Sequence, residues 1–406
     1  FISKRRKIKK TAKRESTVKW SDFVSINDEE QVVFIEKNKT YIRNKDPENC
    51  ALYLHSGGTT GSPKSIMLSD KNMNVLALQG PAIIGKTDPS GLKMASILPL
   101  FHGFGLCMGI HTMMVNGVEA ILVPLFSAQS LSDLLAKEKP NYIAAVPTLL
   151  EGIMNNKKVQ KMDLSFINAV FCGGDTLTSE LKRKFDKFLE ERNCTARVRE
   201  GYGLTETVTV CCVNPIARNR EGTIGIPLSD ILMKVVELNT INEVAPGQTG
   251  EICITGPTVM LGYLNDREAT EQTIKLHEDG RMWVHSGDFG FMDEDGYFHF
   301  IQRMKRIIKV SGMPVFPSQI EDVIAKIEGV LEVSAIGVPH PYKMHVVKAF
   351  VSLKDQNISH EKMREKILEE CNKHLIKHAI PAKIEFMDKL PRTKVGKIDT
   401  IELEKR

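Results

Sequence analysis

The most constraining feature of this sequence is a glycine-rich segment that directly follows a short apolar run. Residues 56–64 read SGGTTGSPK, and the apolar run occupies residues 51–54. Glycines let backbone N–H groups approach an anion closely, hydroxyl groups add hydrogen-bond donors, and the lysine adds a positive charge. The spacing differs from the Walker loop, which needs GxxxxGK followed by serine or threonine. Taken alone, the segment indicates either a phosphate-binding loop or an ordinary glycine-rich turn.

Five later segments follow this one in order along the chain. They are EGYGLTET at 200–207, GEICITGPTVMLGY at 250–263, SGD at 286–288, RMKRIIKVSG at 303–312 and PRTKVGK at 391–397. Together with the glycine-rich segment, they resemble the motifs of the adenylate-forming superfamily of acyl-CoA synthetases, peptide adenylation domains and luciferases. Within that superfamily, SGGTTG, GPTVMLGYLN and SGMPVFPSQIED most resemble the fatty acyl-CoA ligase branch.

The resemblance implies that the glycine-rich segment binds the phosphates of ATP. The residues in this role would be Ser56, Gly57, Gly58, Thr59, Thr60, Gly61 and Lys64. In the EGYGLTET segment, Tyr202 would stack on adenine, Thr205 would contact phosphate oxygens, and Glu206 would hold Mg²⁺. Mg²⁺ prefers oxygen ligands and is commonly held by one or two carboxylates plus substrate phosphates. A glutamate in this context is otherwise a helix-capping acid.

The other motifs imply the ribose contact, the catalytic lysine and the acceptor channel. Asp288 resembles the acid that binds both ribose hydroxyls, with Arg303 beside it, and its alternative role is that of a turn aspartate. Lys397 resembles the lysine that stabilises charge on the attacking carboxylate and the α-phosphate. His102 matches a histidine at the acyl side of the cleft, although a histidine in an apolar run is often a core residue. Gly312 would line the channel for coenzyme A.

Short apolar runs in the first half of the chain are separated by stretches long enough for helices. The runs lie at 93–98, 119–123, 142–146 and 169–171. This alternation predicts βα units around a largely parallel sheet, in which ligands collect at the carboxyl ends of strands. The glycine-rich segment, GGD at 173–175 and EGYG at 200–203 all fall at predicted strand ends. We therefore expect one cleft to gather them, with Gly173, Gly174, Gly201 and Gly203 among the nucleotide contacts.

The resemblance implies an α/β adenylate-forming fold with a large N-terminal domain of several subdomains and a small mobile α+β C-terminal domain. We expect a basic leader and subdomain remnant at 1–50, an AMP-binding domain at 51–304 whose β-rich part spans about 223–300, and the C-terminal domain at 305–406. Lys305 occupies the hinge position. Because relatives carry many more residues before the phosphate loop, the first part of the large domain is expected to be missing from this chain.

The pattern of the last hundred or so residues predicts a compact set of elements. They are a hairpin near 306–315, helices at 317–327 and 360–377, and strands at 333–338 and 346–353. The apolar stretch 95–115 is interrupted by proline, histidine and glycine, so it predicts a buried strand and its following helix rather than a membrane span. We expect no transmembrane helix.

Composition is that of a soluble globular protein with two or more domains, because 406 residues with 42% hydrophobic content can bury a large core. Residues 1–19 carry nine Lys and Arg and one acid, whereas the remainder of the chain has a net charge of −3. A basic cluster can bind anionic lipid or nucleic acid, and its alternative role is a solvated connection. We expect no nucleic-acid partner and keep peripheral membrane contact as an alternative.

The eight cysteines show no CxxC pair and no metal-ligand spacing, and most lie inside apolar segments. They are predicted to be free thiols in a reducing cytoplasm. Adjacent Cys211 and Cys212 are predicted to be buried in a strand rather than redox-active, because free cysteine behaves as a small hydrophobe.

The resulting hypothesis is an ATP-dependent acyl-CoA ligase that uses ATP, Mg²⁺ and coenzyme A. It would form acyl-AMP and pyrophosphate and then transfer the acyl group to the thiol of coenzyme A. The branch resemblance favours a medium- or long-chain fatty acid as the carboxylate substrate. Two alternatives remain open: an acyl-AMP ligase that loads a carrier protein, and a truncated, non-catalytic nucleotide-binding relative.

Overall fold

The computed structural model of this chain describes residues 46–55, 64–123, 127–355, 357–393 and 398–406. The chain divides into two compact units, Phe1–Asn49 and Cys50–Arg406. Only residues 46–49 of the first unit are described, so all elements given below belong to the second. Among the described residues, no helix combines the length and the hydropathy needed to cross a membrane.

The second unit contains both parallel and antiparallel strands. In chain order the described strands are β1 (Cys50–His55), β2 (Ser65–Ser69), β3 (Lys93–Ser96), β4 (Glu119–Leu122), β5 (Tyr142–Ala145), β6 (Ala169–Cys172), β7 (Val198–Tyr202), β8 (Cys212–Val213), β9 (Ile226–Pro227), β10 (Leu232–Val236), β11 (Gly250–Thr255), β12 (Gly262–Tyr263), β13 (Ile274–Leu276), β14 (Met282–Met292), β15 (Phe298–Arg303), β16 (Ile308–Val310), β17 (Met313–Val315), β18 (Val330–His340), β19 (Met344–Leu353) and β20 (Lys383–Phe386).

Helices occupy most of the longer connections. The described α-helices are α1 (Asp70–Leu78), α2 (Gly80–Ile84), α3 (Thr112–Val115), α4 (Ala128–Glu138), α5 (Pro147–Met154), α6 (Ser179–Glu190), α7 (Arg267–Thr273), α8 (Pro317–Ala325), α9 (His360–His374) and α10 (Thr400–Glu404). Shorter 3₁₀ turns cover Val159–Lys161, Thr205–Thr207, Met304–Arg306 and Lys377–Ala379, and a π-helix covers Phe104–His111.

The largest sheet has seven strands in the order β4-β3-β5-β6-β7-β8-β9. The strands from β4 to β7 pair in parallel, whereas β8 and β9 pair antiparallel. Both faces are covered, because Tyr142 and Ala144 of β5 enter one hydrophobic core while Ile143 and Ala145 enter another. Strands buried on both faces are typical of parallel sheets. The prediction of a largely parallel sheet built from βα units is confirmed.

The glycine-rich segment follows a strand, β1, as predicted, but the expectation that this strand belongs to the parallel sheet is wrong. Strand β1 pairs antiparallel with β2, and β12 completes a separate three-stranded sheet. Residues 56–63 thus connect two antiparallel neighbours, whose last pair is His55 opposite Ser65. A short apolar run indicates a strand, but it carries no information on which sheet the strand joins. EGYG also lies partly inside β7 rather than after it.

A second sheet is antiparallel throughout and follows the order β10-β11-β14-β13. Strand β15 also pairs with β14, on the same edge as β13. Strand β14 is long enough to pair with three neighbours along its eleven residues. Its first half faces β13 and its second half faces β15. This sheet falls within the stretch that the sequence marks as β-rich.

The last part of the second unit contains a five-stranded sheet, β17-β16-β19-β18, with β20 parallel to β19. The predicted hairpin near 306–315 is present as β16 and β17, and Ser311 and Gly312 at its turn have φ of +52° and +81°. The predicted helices are present as α8 and α9, each ending a few residues early. The predicted strands are present as β18 and β19, each longer than expected.

The stretch 95–115 is not a membrane span, and it contains a strand and a following helix as predicted. The helix begins as a π-helix at Phe104, whose backbone N–H donates to Nδ1 of His102 at 3.2 Å. All eight cysteines are free and all but Cys50 are buried, as predicted. Burial raises the pKa of Cys107 and of Cys211 to about 12, so both remain protonated at neutral pH.

Candidate active site

Three of the predicted site residues meet around one buried carboxylate, that of Asp288. Its side chain is fully buried, and Asp288 lies directly opposite Arg303 in the register of β14 and β15. Arg303 Nε lies 2.8 Å from Asp288 Oδ1. The hydroxyl of Tyr202, at the end of β7, donates to Asp288 Oδ2 at 2.6 Å. The fold therefore brings together residues from the EGYGLTET, SGD and RMKRIIKVSG motifs.

Hydrogen bonds from the other two residues of the SGD motif hold the backbone of Asp288 in place. Gly287 has a φ of +68°, a conformation that glycine adopts without a steric penalty. Its N–H donates to Glu251 Oε1 at 2.9 Å. The Ser286 hydroxyl donates to the carbonyl of Ile252 at 2.5 Å and accepts from the N–H of Asp288 at 3.0 Å. Serine and glycine thus fix the backbone that carries the carboxylate.

Burial raises the pKa of Asp288, while the positive charge of Arg303 and the hydrogen bond from Tyr202 act in the opposite direction. Burial also raises the pKa of Tyr202 well above its ordinary value, so its hydroxyl is a donor at neutral pH. Within the described part of the chain, no donor makes a well-aligned hydrogen bond to Asp288 Oδ1, although Arg303 is close. A buried carboxylate oxygen in this state fits a ligand that brings its own hydroxyl group.

A second polar cluster surrounds Glu206. Tyr263 donates its hydroxyl to Glu206 Oε1 at 2.8 Å, and the carbonyl of Glu206 accepts the backbone N–H of Met260 at 2.9 Å. The ammonium group of Lys64 lies 4.5 Å from the centre of the Tyr263 ring, within the range of a cation–π contact. The lysine that ends the glycine-rich segment therefore lies against the tyrosine that donates to the predicted magnesium ligand.

The backbone around Glu206 is unusual and is held by close packing. Val208 and Thr209 both have positive φ, +54° and +81°, which is a strained region for β-branched residues. A Cβ at Gly203 would lie 2.0 Å from the carbonyl oxygen of Thr209, so the turn requires glycine at that position. Strained backbone that the surroundings enforce is common at functional sites. Glu206 lies in a single 3₁₀ turn, and the strained residues follow this turn directly.

Tyr263 is a site residue that the sequence reasoning missed. It closes the segment GEICITGPTVMLGY and follows Gly262, whose φ is +140°. The signal that was available is an aromatic residue with a polar end placed directly after a glycine at the end of a motif. Its partner is distant in the chain, which explains why spacing did not reveal it.

The predicted nucleotide-contacting glycines also have roles in packing. A Cβ at Gly173 would lie 2.7 Å from the carbonyl oxygen of Gly201, so the ends of β6 and β7 approach each other closely. Gly174 has a φ of +77°. Backbone packing therefore accounts for Gly173 and Gly203, and conformation accounts for Gly174. Nucleotide contact by these glycines stays a prediction.

Other predicted site residues lie outside the described residues or have a structural role. Ser56, Gly57, Gly58, Thr59, Thr60, Gly61 and Lys397 fall in segments that the structure does not describe. Thr205 begins a 3₁₀ turn, and Lys305 lies in another. Gly312 sits at the tip of the β16–β17 hairpin, where its positive φ favours glycine. His102 accepts the first N–H of the π-helix. Their functional roles stay predictions.

Glu200, at the start of EGYG, should make the free energy of unfolding depend on pH. Burial raises the pKa of its carboxyl from 4.5 to about 7, although the charge of Lys182 acts in the opposite direction. The folded state then binds the proton more tightly than the unfolded state, so stability falls as the pH rises from 4.5 to 7, by roughly 3 kcal/mol. Glu200→Gln removes this ionisation. We expect the variant to melt at a higher temperature than the unmodified chain at pH 8.

At pH 5, close to the ordinary pKa of 4.5, most of this cost is absent, so the two melting temperatures should lie much closer together than at pH 8. Glu190→Gln is the matched control, because Glu190 is an exposed residue of α6 that pairs with Arg197. Its effect should be small at both values. Thermal unfolding at pH 5 and pH 8 makes the comparison. An identical difference at both pH values would show that Glu200 does not titrate in this range.

Comparison with known proteins agrees with this arrangement. Residues 2–264 match the family model of the AMP-binding enzymes, and residues 319–397 match the model of the AMP-binding enzyme C-terminal domain. The chain is 35% identical over 365 residues to a long-chain-fatty-acid–CoA ligase of Salmonella typhimurium, covering 88% of this chain and 61% of that protein. It is 33% identical over 355 residues to the Bacillus subtilis protein of that name, covering 87% and 61% respectively.

A similar solved structure is that of ATP-bound MatB from Rhodopseudomonas palustris. The TM-score is 0.80 at 27% sequence identity, and the match covers 89% of this chain and 69% of that one. The chain thus has the adenylate-forming fold that its motifs implied, and it spans about 61% of the length of the two curated relatives. Since a family model covers well over half of the residues, this chain belongs to the AMP-binding enzyme family.

Proposed function

We propose that this chain is an ATP-dependent, AMP-forming acyl-CoA ligase. It would join a carboxylic acid to the α-phosphate of ATP, release pyrophosphate, and transfer the acyl group from the adenylate to the thiol of coenzyme A. The observation that carries the proposal is the buried carboxylate of Asp288, which Tyr202 and Arg303 hold on two sides. A carboxylate in this setting suits the paired hydroxyls of a ribose.

The residues around Asp288 and Glu206 divide the binding of ATP between them. Asp288 would accept hydrogen bonds from the ribose hydroxyls, while Tyr202 keeps the carboxylate oriented. Glu206 would hold Mg²⁺, which neutralises phosphate charge when it is bound. Lys64 would add a positive charge on the same side, because it lies against Tyr263, the hydrogen-bond donor to Glu206.

Two further parts of the proposal rest on the motifs. The segment 56–61 would cradle the β- and γ-phosphates, and Lys397 would stabilise charge on the reacting carboxylate and the α-phosphate.

We also propose that residues 51–304 and 305–406 form a large and a small domain with a hinge at Lys305. The contacts between these parts include the stacked rings of Phe289 and Phe316, and the Ser318 hydroxyl, which donates to Gln302 Oε1 at 3.3 Å.

For the substrate, we propose a long-chain fatty acid. The support comes from the names of the two curated relatives, both long-chain-fatty-acid–CoA ligases. A cytoplasmic location is proposed on the free thiols alone.

The decisive experiment separates the two half-reactions. The purified chain is incubated with Mg²⁺, ATP and an acid, either palmitate, octanoate or benzoate, and acid-dependent exchange of labelled pyrophosphate into ATP is measured. Coenzyme A is then added, and the acyl thioester and AMP are quantified by mass spectrometry. We expect exchange and thioester formation with palmitate, less with octanoate and none with benzoate.

Each alternative predicts a different product pattern in this experiment. Exchange without a thioester until a phosphopantetheinyl carrier protein is supplied would indicate carrier loading. Binding of ATP without exchange for any acid would indicate a non-catalytic relative. Formation of ADP in place of AMP would contradict the proposal altogether.

A further inference from the structure

A cluster of three buried side chains lies in the second sheet, next to the strand segment that carries Asp288. Cys253 is 0% exposed, His277 4% and His285 8%. One potential ligand atom from each residue lies within 4.8 Å of the other two. The proposed reaction uses none of these residues, so the cluster needs an explanation of its own.

The sheet register explains how the three side chains meet. Cys253 of β11 lies directly opposite His285 of β14, so the two side chains project from the same face of the sheet. His277 follows β13, the neighbour of β14 on its other side. A tight turn returns the chain from His277 to β14, closed by the hydrogen bond from the N–H of His277 to the carbonyl of Arg281.

The two imidazole rings approach each other through equivalent atoms. His277 Nε2 and His285 Nε2 are 3.0 Å apart. With metal–nitrogen bonds of 2.0–2.1 Å, two nitrogen ligands of a tetrahedral zinc ion lie about 3.3 Å apart. An adjustment of a few tenths of an ångström therefore converts this contact into a pair of metal ligands. The thiol of Cys253 completes a two-imidazole, one-thiolate set, which suits zinc.

The surrounding groups hold the ligands as the second layer of a metal site does. Glu251 Oε2 accepts from Nδ1 of His285 at 2.8 Å, and the other carboxylate oxygen accepts from the N–H of Gly287. Since a carboxylate only accepts, the proton of His285 is on Nδ1 and the lone pair of Nε2 points at His277. A carboxylate on the distal nitrogen of a ligand histidine is the usual arrangement at zinc sites.

The remaining neighbours shield and balance the site. Trp283 packs beside His277 with ring centres 5.7 Å apart, and its Nε1–H donates to Asp279 at 3.1 Å. Lys234 lies 4.3 Å above the Trp283 ring, and Lys275 is a further cation on β13. The negative charges of Glu251 and Asp279 balance the positive charges of these two lysines. A thiolate at Cys253 would add one further negative charge, and a bound divalent cation would neutralise it.

We propose that Cys253, His277 and His285 bind a Zn²⁺ ion, with water as the fourth ligand. On binding, the S–H bond of Cys253 breaks and its proton leaves to the solvent, while the Nε2 proton of His277 moves to Nδ1 of the same ring by exchange with solvent. The sulfur and the two Nε2 atoms then form bonds to the metal. The ion would tie β11 and β14 to the turn after β13. Because Glu251 also fixes Gly287, the ion would brace the segment that presents Asp288. The proposal does not depend on the proposed ligase activity.

Cobalt provides a direct spectroscopic test, because Co²⁺ bound to a thiolate gives a charge-transfer absorption that free Co²⁺ lacks. The chelator-treated chain is titrated with Co²⁺ and then with Zn²⁺, and bound metal is counted by elemental mass spectrometry. We expect one equivalent of Co²⁺, a thiolate band, and loss of the band as Zn²⁺ displaces Co²⁺. Zn²⁺ should also raise the melting temperature, as any ligand of the folded state does.

Variants locate the site. Cys253→Ser should abolish the thiolate band, and His277→Gln should weaken Co²⁺ binding at least tenfold. Cys371→Ala and His299→Gln are the matched controls, because Cys371 is buried in the C-terminal sheet's core and His299 bonds to Asp293. Both should keep the band and the rise in melting temperature.

Two results would overturn the proposal. One is a folded unmodified chain that shows no thiolate band at saturating Co²⁺. The other is a thiolate band that persists in Cys253→Ser. The first measurement needs no variant, so it decides the question even if a substitution prevents folding.

Discussion

Replacing Asp288 by asparagine is expected to reduce acid-dependent pyrophosphate exchange by roughly a hundredfold or more. The substitution keeps the shape of the side chain but removes the charge that would accept two ribose hydroxyls. A hydrogen bond to a charged group contributes about 1.5–3 kcal/mol, so two weakened bonds correspond to about two orders of magnitude in binding and rate. Tyr202 would also lose its charged acceptor at 2.6 Å.

The same substitution is expected to leave the fold intact or to stabilise it. Burial raises the pKa of Asp288 above its ordinary value, so the ionised carboxylate is less favourable in the folded chain than in the unfolded one. The cost is present at every pH above the folded-state pKa and disappears as the carboxyl becomes protonated. Asparagine carries no charge and avoids this cost. Arg303 remains hydrated after the loss of its partner, because its side chain is 54% exposed.

Both halves of this prediction are measurable on one preparation. Pyrophosphate exchange gives the activity, calorimetric titration gives the affinity for ATP, and thermal unfolding gives the stability. Asp293→Asn is the control, since Asp293 follows the same strand and pairs with Arg220 and His299 rather than with Tyr202. Wild-type affinity for ATP in Asp288→Asn would remove Asp288 from the nucleotide site. A large fall in melting temperature would instead show that its charge is needed for folding.

Replacing Glu206 by glutamine is expected to lower exchange by a hundred- to a thousandfold, the range seen when one preorganised electrostatic contact is removed from a transition state. Glutamine keeps the shape and can still accept the hydroxyl of Tyr263, so the local structure should survive. A neutral amide is a much poorer ligand for Mg²⁺ than a carboxylate. The variant should therefore need a higher Mg²⁺ concentration for half-maximal exchange.

Tyr263→Phe separates the magnesium role of Glu206 from its hydrogen bond. This change removes the hydroxyl that donates to Glu206 Oε1 and keeps the ring under Lys64. A hydrogen bond to a charged acceptor contributes about 1.5–3 kcal/mol, so the loss should be about tenfold to a hundredfold. The two variants are compared by exchange rates across a Mg²⁺ titration. Equal losses with an unchanged Mg²⁺ requirement would show that Glu206 serves only to orient Tyr263.

Local sequence patterns were enough to predict most of the individual elements. The four apolar runs of the first half correspond to β3 to β6. They were predictable because a buried strand consists of a short run of apolar residues. The hairpin of β16 and β17 was predictable from its turn, where Gly312 adopts a positive φ. The partner of β1 was not predictable, since an apolar run can join any sheet that offers an open edge. Its pairing with β2 depends on the whole tertiary arrangement.

The motifs alone determined the family and named Tyr202, Asp288 and Arg303, because each residue type is tied to a short string of neighbours. Only the tertiary structure decided which side chains touch. It placed Tyr263 on Glu206, and it gathered Cys253, His277 and His285 although the spacing of the cysteines indicated no metal site. The physical reason is that an antiparallel sheet sets residues that are distant in the chain directly opposite each other, and linear spacing does not record that register.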